Sequence, residues 1–299
     1  MHPVTRPDFT LDRRLVRKRA EQAATRTGAH DALAREVGRR MGERLDYIRL
    51  APTRVLDLGC GPLADRPVLR GHYPEATYLG IDFAAPALPP GQAAGGFLRR
   101  MFGRAREPAG LSVCADAQAL PLARGSISLV WSNLMLNWLH DPMPALQEMH
   151  RVLEVGGLLM FSTLGPDTLR ELRGALPDAR GERVHRFIDM HDLGDALVQA
   201  GFSDPVMDME MMTLTYADLD GLLADLRGAG AANAAATRPR GLSGKAEWAL
   251  ARTRYPCQPA DGRLPASFEV IQGHAWKVAP TVTADGRAVI QFDPKARRR

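Results

Sequence analysis

The sequence of 299 residues predicts an α/β fold built on a doubly wound, mostly parallel sheet. Two observations lead to this prediction. Short, mostly apolar runs recur along the chain and end in polar or turn residues, as buried parallel strands do. Segments with helical periodicity precede and separate these runs, which is typical of βαβ units.

The elements follow in chain order. A helix is predicted where apolar residues recur at steps of four and three between Leu33 and Ile48. Strands are then predicted at 54–59, 77–82, 111–116, 126–133 and 157–163. A helix over 144–157, ending at a glycine pair, joins the last two of them. Residues 84–110 are rich in alanine, glycine, proline and arginine, which predicts a loop insertion between the second and third strands.

The segment after the fifth strand breaks this alternation. We expect a helix that begins with a capping box of Thr168 and Glu171, a second helix that ends at Gly201, and a helical stretch over 217–236. The strand-like run ASFEVIQGHAWKV follows. The organisation predicted from this is one domain over 1–299, with a nucleotide-binding core at 28–165, lid insertions and last helices at 166–265, and a final strand at 266–278.

Composition limits the classes of function. With 45% hydrophobic and 24% charged residues the chain is globular, and no apolar run approaches the roughly 18–20 residues that span a bilayer. The stretch MHPVTRPDFTLDRRLVRKRA lacks the apolar core of a secretory signal, so a cytoplasmic protein is expected. The three cysteines and the histidines show no metal-binding spacing, so neither a disulfide framework nor a metal site is expected.

The net charge of +5 favours acidic partners. Several arginines share one segment, among them Arg35, Arg39, Arg40 and Arg44. Aromatic residues do not interleave with the arginines, as a groove for single-stranded nucleic acid would require. We therefore expect neither nucleic acid nor a membrane among the partners.

A glycine-containing turn follows the first strand, in the stretch VLDLGCGPLAD. Gly59 and Gly61 carry no Cβ, so the backbone can turn tightly and approach a ligand closely. The stretch lacks the third glycine of a dinucleotide fingerprint, and Pro62 removes an amide that could bind phosphate. An adenosine without phosphates fits this turn better than a dinucleotide.

Acidic residues end three adjacent strands. Asp57, Asp82 and Asp116 are predicted at carboxyl ends, where doubly wound sheets bind their ligands. Asp82 can accept hydrogen bonds from both ribose hydroxyls, and Asp116 can accept one from the exocyclic amine of adenine. The backbone amide of Ala117 can donate to the ring. Together the three acids predict a nucleoside site.

The motifs VLDLGCG, YLGID, ADAQALPL and HRVLEVGGLLMFST, in this order, resemble the core of class I S-adenosylmethionine-dependent methyltransferases. The resemblance implies a Rossmann-like sheet of seven strands and S-adenosylmethionine as cofactor. It implies a cofactor site formed by Asp57, Gly59, Gly61, Asp82, Asp116, Ala117 and Asn133. That family usually has glycine at the position of Leu63; we expect binding to survive, because the residue lies at the rim of the turn.

Further motifs narrow the resemblance. WSNLMLNW, FSTLGPDTLRELR, LPASFEVIQGHAWK and ALAREVGRRMGERLDYI are similar to the malonyl-acyl-carrier-protein O-methyltransferases of biotin synthesis. GPDTLRELR with HDLGDALVQAGF also resembles the related mitochondrial complex I assembly factor, an arginine hydroxylase of the same fold. Three hypotheses stay open: the carrier-protein methyltransferase, the hydroxylase, and a non-catalytic module that binds S-adenosylmethionine.

The first resemblance implies methyl transfer to the free carboxylate of a malonyl thioester, with an acidic acyl carrier protein as partner. That carboxylate is ionised at pH 7, so positioning and a dry pocket matter more than a general base. Arg170 and Arg173 are the candidates to orient it. Asn133, Trp138 and Trp276 are candidate pocket walls, and Asn133 is counted with the two arginines as catalytic.

Overall fold

The computed structural model describes residues 9–26, 30–88, 111–176, 181–241 and 244–279. These residues contain one seven-stranded sheet, whose strands are β1 (Arg54–Leu58), β2 (Thr77–Asp82), β3 (Leu111–Cys114), β4 (Ile127–Ser132), β5 (Leu153–Leu164), β6 (Ser203–Tyr216) and β7 (Leu264–Trp276). The strand order is β3-β2-β1-β4-β5-β7-β6. The first five strands run parallel, and β7 lies antiparallel between β5 and β6. The predicted doubly wound, mostly parallel sheet is confirmed.

Helices flank this sheet, and among the described residues they are α1 (Arg13–Ala24), α2 (Ala32–Leu45), α3 (Arg66–His72), α4 (Met143–Val152), α5 (Arg170–Ala175), α6 (Met190–Gln199), α7 (Leu219–Gly228) and α8 (Lys245–Arg254). The sequence analysis did not place α1. Its start is marked by Asp12, whose side chain accepts a hydrogen bond from the Leu15 amide at 3.1 Å. Within the described ranges, no helix is long and apolar enough to cross a membrane.

Strand β6 was also not predicted, and it lies within the range 166–265 assigned to lid insertions and last helices. It forms the edge of the sheet and pairs with β7 through most of its length. Many of its residues are exposed, with no buried apolar run to mark a strand. The helix predicted over 144–157 is shorter, since it ends at Val152 and β5 begins at the next residue. Most of the predicted insertion, 89–110, lies outside the described residues.

The predicted capping box of Thr168 and Glu171 is wrong. Helix α5 begins after Leu169, and no side chain caps it. The hydroxyl of Thr168 instead accepts from the Glu269 amide at 3.2 Å, and the Glu171 carboxylate accepts from the Ser267 amide at 3.0 Å. Both side chains therefore hold the start of α5 against β7, because β7 offers backbone donors that the sequence pattern does not reveal.

Apolar packing covers both faces of the sheet. In β4, Leu129 and Trp131 face one cluster and Val130 faces the other, as side-chain alternation requires. In β1, Val55 belongs to the first cluster and Leu56 to the second. The strands are thus buried on both sides, which explains their continuous apolar character in the sequence.

A buried polar network ties the carboxyl ends of the central strands to the helices. Asp65, just before α3, accepts hydrogen bonds from Trp131 Nε1 at 2.8 Å and from Asn133 Nδ2 at 2.9 Å. Asn133 Oδ1 accepts from the Ser162 hydroxyl, and the Ser162 oxygen accepts from the Leu134 amide, each at 2.9 Å. The network sets the course of the chain just after β4.

Gly38 in α2 provides a test of this packing. A Cβ at this position would lie 2.3 Å from Asp65 Oδ1 and 3.0 Å from Asn133 Nδ2, so Gly38→Ala should lower the free energy of unfolding by about 1–3 kcal/mol, as overpacking does. Gly174→Ala in α5 is the matched control, because its Cβ would meet nothing within 4 Å. The control should be neutral or more stable by up to about 1 kcal/mol. Chemical denaturation measures both, and equal effects of the two substitutions would contradict the packing described.

Candidate active site

A cavity opens at the carboxyl ends of β1 to β4. Four of the predicted cofactor residues line it: Gly59, Asp82, Asp116 and Ala117. Helix α1 closes one side. The position agrees with the rule that doubly wound sheets bind ligands beyond the carboxyl ends of their strands.

Glycine is required where the chain turns under this cavity. Gly59 has φ +80°, and a Cβ there would lie 2.6 Å from the Met135 side chain. Its amide donates to the Ile81 carbonyl at 2.7 Å, which joins the turn to β2. Gly61 has φ +47° but does not line the cavity; its amide donates to Asp82 Oδ2 at 3.0 Å. Gly61 thus acts through the position of Asp82.

The carboxylate of Asp82 is held at the cavity wall by backbone donors. Besides Gly61, the amide of Ala84 donates to it, at 2.8 Å to Oδ1. Burial raises the pKa of Asp82, and these hydrogen bonds oppose the rise. Both oxygens are oriented and retain lone pairs, so the group can accept hydrogen bonds from a ligand with neighbouring hydroxyls.

Asp116 lies at the opposite side of the same cavity. The Gln118 amide donates to its Oδ1 at 2.9 Å, which fixes the carboxylate. Arg13 of α1 forms an ion pair with Oδ2 and also donates to the Gln118 side chain at 2.6 Å. The sequence analysis missed Arg13, although the acidic N-cap at Asp12 marks the helix that carries it.

Asp57 does not line the cavity, and its assignment to the cofactor site stays a prediction. It belongs to the face of β1 opposite to Leu58, and its buried carboxylate accepts a hydrogen bond from the Tyr78 hydroxyl. Burial, with the negative charges of Asp65 and Asp82, raises the pKa of Asp57 to about 8. The side chain supports the strand pair β1–β2 from behind the cavity.

The residues predicted as catalytic also lie elsewhere. Asn133 is occupied by the buried network and lines no described cavity. Arg170 is exposed beside Glu171, and Arg173 donates to the carbonyls of Pro166 at 2.9 Å and Thr168 at 3.3 Å. Neither arginine lines a described cavity.

A second cavity adjoins the first. Its wall is mostly apolar and comes from α1, α5, α7, α8, β7 and neighbouring loops, with Leu172, Leu223 and Phe268 among its members. Trp138 lines both cavities, which confirms its predicted place in a pocket wall. Trp276 lines neither and packs against the core.

The second cavity also holds polar groups that the sequence analysis did not select. Arg19, Arg183, His185 and Arg238 belong to its wall, and no aspartate or glutamate of the described residues does. The segments that carry these residues contain no recognisable motif, so no local signal in the sequence could have identified them. Among the described residues, no group of histidine, cysteine and acidic side chains could hold a metal ion.

Comparison with known proteins gives a consistent result. The family described as methyltransferase domain matches residues 56–161. The malonyl-acyl-carrier-protein O-methyltransferase of Gallionella capsiferriformans is 48% identical over 286 residues, 95% of this chain and 97% of the relative. The protein of the same name from Laribacter hongkongensis is 48% identical over 295 residues, 96% and 98% of the two chains.

A solved structure supports the fold alone. A candidate methyltransferase from Bacillus halodurans superimposes with a TM-score of 0.53 at 15% identity, over 80% of this chain and 99% of that one. The Gallionella and Laribacter relatives are both named as carrier-protein methyltransferases. Of the two families that the sequence resembles, this is the one that the motifs WSNLMLNW and GHAWK favoured.

Leu63 adopts the left-handed conformation that usually requires glycine, with φ +64°. Its amide donates to the Cys60 carbonyl at 2.8 Å, which closes the turn. Its side chain packs over Gly80, where a Cβ would lie 2.7 Å from Leu63 Cδ2, and it does not line the first cavity. Packing against β2 therefore offsets the backbone strain.

We expect Leu63→Gly to change the free energy of unfolding by less than about 1 kcal/mol. Relief of left-handed strain, about 1–2 kcal/mol, opposes the added chain entropy and the lost packing of the leucine. Chemical denaturation gives the value, with Gly80→Ala as the comparison, since the Cβ added there clashes with the same leucine and should clearly destabilise. A loss above about 2 kcal/mol for Leu63→Gly would show that the strain is negligible.

Proposed function

This chain belongs to the family of malonyl-acyl-carrier-protein O-methyltransferases, and on that premise we propose that it methylates the free carboxylate of a malonyl group carried by an acyl carrier protein. The methyl donor is S-adenosylmethionine and the step belongs to biotin synthesis. One observation supports this proposal for the present chain. Two cavities share Trp138 in their walls, and the first contains acidic side chains whereas the second is mostly apolar and contains none among the described residues. We infer a cytoplasmic location for this reaction.

The first cavity fits an adenosine-containing methyl donor. Gly59 leaves the space that a Cβ would fill beside Met135, and Asp82 offers an oriented carboxylate for the ribose hydroxyls. Asp116 and Ala117 line the same cavity, where the carboxylate can accept a hydrogen bond from the adenine amine and the Ala117 amide can donate one to the ring. Oδ2 of Asp116 pairs with Arg13 and Oδ1 accepts from the Gln118 amide, so the carboxylate makes that contact through its remaining lone pairs.

The second cavity fits an acyl group. Its apolar wall excludes water, which strengthens electrostatic contacts with a carboxylate inside it. Residues 166–265, predicted as lid insertions, supply most of this wall, so we assign that segment to substrate binding.

The chemistry requires little from the protein beyond placement. When bound, S-adenosylmethionine supplies a sulfonium methyl group to a carboxylate oxygen, and the carbon–sulfur bond breaks with its electron pair going to sulfur. No proton is transferred, so no general base is needed, and no acidic residue lines the described second cavity. The chain's part is to hold the carboxylate in line with the methyl group and away from water.

The partner in this proposal is an acidic acyl carrier protein. The exposed face of α1 carries Arg14 and Lys18 beside both cavities, together with Arg17, which pairs with Glu21, and this face suits an acidic surface. The arginines of α2 suggested by sequence are less available. Arg39 and Arg40 form ion pairs with Glu36, and Arg40 and Arg44 also pair with Glu210 and Asp208 of β6.

Asp82→Ala should weaken the binding of S-adenosylhomocysteine by about 1.5–3 kcal/mol, the scale of hydrogen bonds to a charged group. Isothermal titration calorimetry measures the affinity. Glu75→Ala is the matched control, since this exposed acid precedes the opposite end of β2 and should leave the affinity unchanged. Equal affinities of the two variants would remove Asp82 from the cofactor site.

The proposed reaction is tested with the purified protein, S-adenosylmethionine labelled in its methyl group, and malonyl-loaded carrier protein. We expect label in the carrier-protein product and none when acetyl-loaded carrier protein replaces it, because an acetyl group lacks the nucleophilic carboxylate. Base hydrolysis should release the label, as for a methyl ester. Absence of label with the malonyl substrate would contradict the proposal and reopen the hydroxylase, which needs oxygen and a reductant.

A further inference from the structure

Arg19 contributes a half-buried guanidinium to the second cavity. It lies on α1, and its Nη1 donates to the carbonyl of Ala232 at 2.6 Å and to that of Asn233. No carboxylate among the described residues forms an ion pair with it. Burial and the nearby charge of Arg238 lower the pKa of Arg19, and the charge of Asp12 opposes this only in part.

Two other arginines of this wall are paired with acids. Arg238 pairs with Asp12 at 3.2 Å, and Arg183 pairs with Glu247. Arg227 of α7 also lines the cavity. A charge removed from water is costly unless an opposite charge or strong hydrogen bonds compensate it. Since no acid lines the described cavity, an anion bound inside it would complete the environment of Arg19.

His185 is a second buried polar group in this wall that lacks a partner for one of its polar atoms. Its side chain is 4% exposed, and its Nε2 has no hydrogen-bond partner among the described residues. The ring packs between Trp138, at 5.5 Å, and Phe187, at 4.6 Å between centroids. Buried polar atoms are nearly always paired, so an unpaired one in a cavity wall indicates a ligand.

His185 is neutral under ordinary conditions. Burial lowers its pKa to about 4, and the charges of Arg19 and Arg173 act in the same direction. A neutral imidazole keeps one N–H donor, which can bind a carbonyl or carboxylate oxygen without adding charge. Both side chains line the same cavity.

We infer that Arg19 and His185 form the acyl subsite of the enzyme, in which Arg19 binds the terminal carboxylate of the substrate and His185 donates a hydrogen bond to the acyl group. This inference rests on the proposed function and names the residues that select a malonyl over an uncharged acyl thioester. Arg19 adjoins Ala20, which lines the first cavity, so the subsite lies at the boundary that the methyl group must cross.

Two properties of Arg19 suit a nucleophilic carboxylate. Its Nη1 is occupied by two carbonyls, so a ligand meets the remaining donors and not the full fork of the guanidinium, which leaves a carboxylate lone pair for attack. Methylation removes the negative charge, and the ester therefore loses its attraction to Arg19. The same residue that selects the substrate thus favours release of the product.

The test compares the binding of malonyl-coenzyme A and acetyl-coenzyme A to protein saturated with S-adenosylhomocysteine. The wild type should prefer the malonyl compound by about 10- to 100-fold, the range of a charge-assisted contact. Arg19→Gln should reduce that preference to about twofold, and Arg19→Lys should restore part of it because the charge remains. Arg49→Gln, at an exposed position that lines neither cavity, is the matched control and should keep the full preference.

His185→Phe retains the packing between the two aromatic neighbours and removes the hydrogen bond. It should weaken both coenzyme A thioesters about equally and raise KM for malonyl-carrier protein more than it lowers kcat. Thermal unfolding and S-adenosylhomocysteine affinity should match the wild type in every variant, which separates a binding role from a structural one.

An Arg19→Gln protein that folds, binds S-adenosylhomocysteine and keeps the wild-type preference for malonyl-coenzyme A would overturn the assignment of Arg19. Unchanged thioester affinities in His185→Phe would overturn that of His185. These failures are distinct from failure of the proposed function, in which the wild type transfers no methyl group to malonyl-carrier protein whatever its thioester preference.

Discussion

The buried carboxylate of Asp65 is the interaction on which the wall of the first cavity depends. It lies between helices and strands that are distant in sequence, and the side chains of Trp131 and Asn133 donate to it. Burial raises its pKa, so these two hydrogen bonds are needed to keep the ionised form stable. Through Asn133 and Ser162 the same network reaches the amide of Leu134, where the chain turns with φ +51° toward the wall shared by the two cavities.

The fold and part of the lining of the first cavity could be predicted because their signals are local. A parallel strand buried on both faces is a continuous apolar run, and a side chain at its carboxyl end lies at the edge of the sheet where the cavity opens, as Asp82 and Asp116 do. Asp57 satisfied the same rule but faces the opposite side of β1, since neighbouring side chains on a strand alternate. A residue at the carboxyl end of a strand lies at a known edge of the sheet. The alternation of side chains along the strand then decides to which face of the sheet that residue points.

The acyl side of the site depends on contacts between distant parts of the chain. The segment before α1 pairs with residues 234–236, where the amide of Asp12 donates to the Ala234 carbonyl at 2.9 Å, and this brings Arg19 over a cavity built mainly from residues after 163. No spacing within the sequence reports such a contact. Arg170 was selected because it belongs to a recognisable motif, but a motif can be retained for packing, as the bonds from Thr168 and Glu171 to β7 illustrate.

Helix α1 walls both cavities, with Arg13 and Val16 toward one and Arg19 toward the other. An occupant of either cavity that fixes the position of this helix also organises the wall of its neighbour. Thermodynamic linkage makes such an effect reciprocal: if the methyl donor raises affinity for the acyl group, the acyl group raises affinity for the donor by the same factor. The demethylated donor would share the coupling, whereas the neutral ester would lose it, so the two products would leave in a preferred order, ester first.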